Sequence, residues 1–375
     1  AWGLFGWGVA WWLATGTEEI EDRLSQFMGL HVWVLFLAGT AAGFAWLGKR
    51  LDWGMARKLT LLYLPTLALL LSLYSDKHHH FLMSLAWLAW PIAIAVQVYL
   101  LRMMDKAAST LAPTWHIGTA ILLTFFLAIE AYWQAGTGIG GAWAEAAAST
   151  IPGLLALLIW RFRERPSWPV PVHSESYFGF SLFLVGGQAL YLAMTGIAQP
   201  GYGGSIPYIP VLNPLDLATI FAAITALISL VVIRRHQEMI EDSPIEPTIA
   251  GFRMYLAGAF LVLTTVALVR GVHHLAGVPW DIDYLYNSDV VQTTLSIYWG
   301  FLGFAGMVWG ARRSTRWVWV AGAGFMALVV IKLFLVDLGN SGTIERIISF
   351  IGIGALLLVV GYFAPAPPRR KEETA

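Results

Sequence analysis

The chain reads as an all-α, polytopic transmembrane helical bundle of about 12 spans with both termini cytoplasmic. Three observations predict this. First, 58% of its residues are hydrophobic and only 12% are charged, with mean hydropathy +0.65; a soluble domain carries roughly 25% charged residues. Second, apolar stretches recur at the length a bilayer requires, about 20 residues at 1.5 Å rise each. Third, the basic residues are distributed asymmetrically. Taken alternately, one set of connections holds Lys49, Arg50, Arg57, Lys58, Arg102, Lys106, Arg161, Arg163, Arg165, Arg234, Arg235, Arg312, Arg313, Arg316, Arg369, Arg370 and Lys371. The other holds only Arg23, Lys77, Arg270 and Arg346, with Arg253 and Lys332 inside spans. Basic loops are retained on the cytoplasmic side, so this asymmetry sets an orientation.

The expected spans follow in order. Trp2–Thr15 is short and is followed by the acidic group Glu18, Glu19, Glu21 and Asp22. Met28–Gly48, Leu59–Tyr74, Phe81–Leu101, Trp115–Gln134 and Ala142–Trp160 complete the first half. Tyr177–Gly196, Leu217–Ile233, Ile249–Arg270, Asp289–Gly310, Trp317–Val336 and Ile347–Phe363 make the second. Residues 1–363 are thus expected as a single transmembrane helical domain, and 364–375, Pro-rich and then charged, as a disordered cytoplasmic tail. Nineteen Trp and thirteen Tyr suit two interfacial aromatic belts. Gly300, Gly303, Gly306 and Gly310 form a stripe on the tenth span, and Gly352 and Gly354 lie on the twelfth, where close backbone approach supplies contact between helices.

Composition excludes several functions. The net charge is zero, which implies no nucleic-acid partner, and the absence of Cys removes disulfides and thiolate chemistry together. The run Gly136-Thr-Gly-Ile-Gly-Gly141 matches a dinucleotide fingerprint by letter, but no strand precedes it. His78, His79 and His80 are adjacent and exposed, a poor coordination set; no metal and no cofactor is expected.

Ionisable groups inside spans are expensive and mark partners or cavities. Arg270, His273 and His274 fall at i, i+3 and i+4, on one face if the ninth helix continues for one more turn. The loop beyond offers Asp281 and Asp283, with Ser288 or Asn287 capping the next helix and Gln292 in its first turns. Glu130 lies near the outer end of the fifth span. Arg270, His273, His274 and Glu130 are expected to converge on one outward-facing pocket, Arg270 as an anion anchor and His or Glu as a proton carrier. Lys332, Asp337 and Arg346 are expected as structural ion-pair residues fixing the last hairpin. Gln97, Gln188, His31 and His116 are read as helix–helix hydrogen bonds. Gln199–Asp216, with four prolines, cannot be a regular helix; it is expected to be ordered, with Ile206, Ile209 and Leu212 packed onto the bundle.

Several of these segments also carry a resemblance. Ile206-Pro-Tyr-Ile-Pro-Val-Leu-Asn-Pro-Leu-Asp-Leu217 resembles a signature of a bacterial polytopic membrane family, domain of unknown function 2339. So do Arg270-Gly-Val-His-His274, Gln292 with Ser296 and Trp299, Lys332-Leu-Phe-Leu-Val-Asp-Leu338, and Arg346-Ile-Ile-Ser-Phe350 leading to Gly361-Tyr362. Members carry additional N-terminal spans and a soluble region, so the resemblance implies that this chain is a C-terminal portion. It also implies a bacterial inner membrane, multi-pass location, and it brings no activity.

The expected function is that of an inner-membrane protein whose outward-facing polar cavity binds or moves an envelope substrate such as a lipid-linked glycan. Membrane lipids are the partners this implies. A membrane-embedded transferase acting on the periplasmic side and a scaffold for partners in an envelope complex are the alternatives.

Overall fold

Backbone N–H and C=O groups have no water to bond in a bilayer core, so a chain this apolar must satisfy them within helices. The computed structural model describes residues 2–74, 85–163, 165, 168–204, 206–235, 246–333, 358, 361 and 362, and all regular structure among them is helical. Among the described residues, eight helices are long and apolar enough to cross a membrane. The twelfth expected span (apart from residues 358, 361 and 362), the tail, His78–His80, Asp337 and Arg346 lie outside the described residues.

The chain divides into two compact units, 1–263 and 264–375. Unit 1 contains α1 (Trp2–Arg23), α2 (Gln26–Arg50), α3 (Gly54–Leu59), α4 (Tyr63–Tyr74), α5 (Ala86–Lys106), α6 (Ala112–Gly138), α7 (Trp143–Arg163), α8 (Ser174–Ala198) and α9 (Pro214–Arg235), with the first part of α10 (Glu246–Ala276). Tight 3₁₀ turns occupy Thr60–Leu62, between α3 and α4, and Val170–His173, just before α8. Unit 2 contains the end of α10, then α11 (Ile282–Asn287), α12 (Asp289–Arg312) and α13 (Arg316–Lys332). In α1, α12 and the described part of α13, the first, tenth and eleventh expected spans appear as helices that fall short of the length or hydropathy of the eight.

Three expectations are corrected. The first span is expected to end at Thr15, ahead of Glu18, Glu19, Glu21 and Asp22, but α1 continues through them to Arg23. Arg23 Nε pairs with Glu19 Oε2 at 2.6 Å, an i,i+4 contact that supports the extra turns. The span expected from Leu59 starts at Gly54 and tightens at Thr60–Leu62 before continuing as α4. Ile206, Ile209 and Leu212 do not pack down; they are 46%, 48% and 61% exposed. Their segment is held by polar bonds instead. Ala142 N donates to Tyr202 O at 2.7 Å, Gln199 Nε2 donates to Glu145 Oε1 at 2.7 Å, and Asp216 N donates to Asn213 Oδ1 at 3.0 Å.

Within unit 1, α7 packs against α6, α8 and α9. Gly153 permits this: a Cβ there would meet the Gln188 amide and the Phe221 ring. Buried polar side chains staple neighbouring helices. Gln97 Nε2 donates to Thr119 Oγ1 at 2.9 Å, Thr225 Oγ1 to Gln188 Oε1 at 3.1 Å, Trp160 Nε1 to Ser181 Oγ at 2.8 Å, and Tyr63 OH to Ala93 O at 3.1 Å. An apolar core around Trp90, Leu67 and Val34 fills the space between α2, α4 and α5.

Within unit 2, the glycine stripe works as a helix contact over part of its length. A Cβ on Gly303 would lie 3.2 Å from Gly322 O, and one on Gly310 2.5 Å from Trp319 N, whereas Gly300 faces open space. Lys332 Nζ crosses from α13 to donate to Gln292 O at 3.1 Å and Ser296 Oγ at 2.8 Å on α12.

Candidate functional site

The densest polar cluster among the described residues lies at the basic end of unit 1. Helix α5 ends at Lys106 and α6 begins at Ala112, so the turn between them is short and the two helices run antiparallel. This sets Asp105, in the last turn of α5, beside His116, just past the first turn of α6. His173 closes the 3₁₀ turn that leads into α8. His116 Nε2 lies 3.3 Å from Asp105 Oδ1 and 3.2 Å from Oδ2, and His173 Nε2 lies 2.8 Å from Oδ1. Trp168 Nε1 donates to Asp105 Oδ2 at 2.6 Å, and the Arg102 guanidinium stacks on the Trp168 ring at 4.8 Å. On its far side His116 Nδ1 meets Tyr177 OH at 3.1 Å. His116 is fully buried, while the side chains of His173 and Asp105 are 13% and 14% exposed, so one edge of the cluster is open.

One ligand atom from each of Asp105, His116 and His173 lies within 4.8 Å of the other two, the only such His, Asp and Glu grouping among the described residues. Two imidazoles and a carboxylate can relay a proton, or hold a transition-metal ion. From the sequence His116 is expected as a helix–helix contact, and neither Asp105 nor His173 is expected at a site. The signal available was an acidic residue, Asp105, set between Arg102 and Lys106 at a helix end where basic residues dominate.

The expected site residues fall in both units. Glu130, on α6 in unit 1, is buried and accepts from Gln134 Nε2 at 2.6 Å. Arg270, His273 and His274 all belong to α10, which does continue past Arg270 to Ala276. Arg270 is 2% exposed, and the His273 and His274 rings lie 4.5 Å apart, with Trp280 at 5.6 Å from His273. His273 Nδ1 bonds to Val278 O at 2.5 Å. Asp281 and Asp283 are exposed, and Asp281 caps α11 by accepting from Asp283 N at 3.0 Å. Gln292 Nε2 donates to Tyr286 O at 2.9 Å, and Ser288 caps α12 by accepting from Val291 N at 3.5 Å. These bonds shape the connection between α10 and α12.

A groove of about 710 Å³ runs between α6, α7 and α8. Its walls are Ile121, Phe125, Ile129, Phe180, Phe183, Leu184 and Pro152, with Thr124, Ser149, Gln188, Tyr132, Trp133 and Tyr191 as the polar or amphipathic members. On α7 the lining comes from the half away from the basic loops, while on α6 and α8 it runs from Ile121 to Trp133 and from Phe180 to Tyr191. Gln188 Oε1 is engaged by Thr225, and its Nε2 has no hydrogen-bond partner among the described residues. Glu145, in the first turn of α7, is also buried; Oε1 holds Gln199 and Oε2 has no partner among the described residues.

A family model described as predicted membrane protein (DUF2339) matches residues 1–367. No curated protein and no solved structure matches the chain. The chain belongs to this family of predicted membrane proteins.

Proposed function

From membership of a predicted membrane-protein family, we propose that the protein binds a bilayer amphiphile in the groove between α6, α7 and α8, with the polar head toward the end opposite the basic loops. A lipid-linked glycan of the cell envelope fits this chemistry. The observation that carries the proposal is a groove of about 710 Å³ with an apolar floor and an amphipathic rim of Tyr132, Trp133 and Tyr191. Pockets of this size bury most of a ligand against apolar walls, while a few polar groups fix its orientation. Gln188 offers an amide N–H within the apolar wall. Glu130 and Glu145 are buried carboxylates on α6 and α7, two of the helices that form the groove, and are chemically suited to accept from sugar hydroxyls.

Gly187 lines the groove, and a Cβ there would meet nothing within 4 Å. Gly187→Leu therefore projects a side chain into the groove from a Cβ position that is open, and it gains up to about 1 kcal/mol of helix propensity. The experiment is mass spectrometry of lipids copurified with the wild type and with this variant. One amphiphile enriched over the bulk membrane should accompany the wild type and be lost from Gly187→Leu at equal yield of folded protein. Lipid matching the bulk composition in both proteins would overturn the proposal.

A further inference from the structure

We infer that Asp105, His116 and His173 bind one divalent transition-metal ion of the zinc class at the basic end of the bundle. The inference is independent of the groove, whose lining includes none of these three residues. Tetrahedral coordination at about 2.1 Å sets neighbouring ligand atoms about 3.4 Å apart. From Asp105 Oδ1, His116 Nε2 lies at 3.3 Å, close to that value, and His173 Nε2 at 2.8 Å, somewhat shorter, and all three ligand atoms lie within 4.8 Å of each other. Small shifts of these side chains would bring them around one ion.

The outer contacts are those a metal site needs. A ligating imidazole holds its other nitrogen on a hydrogen-bond acceptor, which fixes the ring and its tautomer. His116 Nδ1 has Tyr177 OH at 3.1 Å for this purpose, which leaves Nε2 to ligate. Trp168 Nε1 holds Asp105 Oδ2 at 2.6 Å, leaving Oδ1 on the side of His173. The open edge at Asp105 and His173 admits the ion and leaves room for a fourth ligand from solvent.

Charge selects the metal. Arg102, Lys106, Arg161, Arg163 and Arg165 share this end of the bundle with a single ligating carboxylate. Hard ions such as Mg²⁺ and Ca²⁺ depend on several oxygen ligands, so the site disfavours them. Imidazole nitrogen donors suit Zn²⁺, Co²⁺ or Ni²⁺. The three ligands come from α5, α6 and the turn before α8, so the ion ties three segments together and stabilises their packing by mass action.

The same donors also admit a metal-free network in which both imidazoles donate Nε2–H to Asp105 and Tyr177 donates to His116. Metal binding to the purified full chain separates the two. After chelator treatment, Co²⁺ titration should show ligand-field absorption saturating at one ion per chain and displaced by Zn²⁺. Tyr177→Phe should weaken binding by about tenfold, the loss expected when an outer-shell partner is removed. His173→Cys should add a thiolate-to-cobalt charge-transfer band, which a purely structural role for residue 173 cannot produce. The triple change of His78, His79 and His80 to Asn should leave the bands intact. Absence of stoichiometric Co²⁺ binding by the wild type, bands that disappear with the His78–His80 tract, or a His173→Cys protein without the charge-transfer band would each overturn the assignment.

Discussion

At the scale of single residues, Gly141 decides whether the proline-rich segment after α8 stays in place. Its backbone has φ +58°, in the left-handed region, and a Cβ would be driven into the Tyr202 carbonyl and the Gly204 nitrogen. The neighbouring Ala142 N donates to Tyr202 O at 2.7 Å, so this close approach is what pins the segment. Gly141→Ala adds about 1–2 kcal/mol of backbone strain before any steric push is counted. Amide hydrogen exchange should accelerate across 199–213 in this variant while α6 and α7 keep their protection; unchanged exchange would show that the segment is held elsewhere. Residues of this kind are the least legible in sequence. The prolines of 199–216 mark an irregular segment, but its anchor is a glycine far upstream, just before α7. Ile206, Ile209 and Leu212 misled because in a bilayer protein an apolar side chain need not turn inward. The Asp105 cluster was hidden for a related reason: Asp105 and His173 are 68 positions apart, and no local pattern joins them.

At the scale of elements, hydropathy and small-residue spacing carried most of what was readable, because both are local properties of a helix. The stripe Gly303, Gly306 and Gly310 was recognisable from its spacing, and in α12 it faces α13 at Gly322, Met326 and Trp319. The structure adds which members matter. A Cβ on Gly310 would lie 2.5 Å from Trp319 N and 2.8 Å from its Cα, and backbone cannot yield as a flexible side chain does. Gly300, at the other end of the stripe, faces open space. Gly310→Leu should therefore destabilise the α12–α13 pair by about 2 kcal/mol or more, near the upper range for overpacking. Gly300→Leu should be neutral or slightly stabilising through helix propensity. Thermal unfolding in detergent separates the two; equal melting temperatures would mean that the stripe is not a helix contact. Lys332, bonded to Gln292 O and Ser296 Oγ, adds a polar tie to the same pair, of the order of 1 kcal/mol for a bond in a membrane interior.

At the scale of the whole molecule, the distribution of basic residues makes the strongest demand. Seventeen Lys and Arg fall in alternate connections against four in the others, and the positive-inside rule turns that bias into an orientation. The helix order in unit 1 agrees with it: α2, α5, α7 and α9 each end on basic residues, Arg50, Lys106, Arg163 and Arg235 among them. In this orientation the proposed metal site at Asp105, His116 and His173 belongs to the cytoplasmic side, and the rim of the groove to the outer side. The chain has no Cys, so a single introduced cysteine reports one position without background. Tyr202→Cys, at a residue 61% exposed beyond α8, should react with a membrane-impermeant maleimide added outside intact cells. Arg313→Cys, in the turn between α12 and α13, should react only after the membrane is opened. The same accessibility at both positions would sink the alternation of spans. Accessibility reversed at both would keep the alternation but place the basic loops outside, against a bias of seventeen to four.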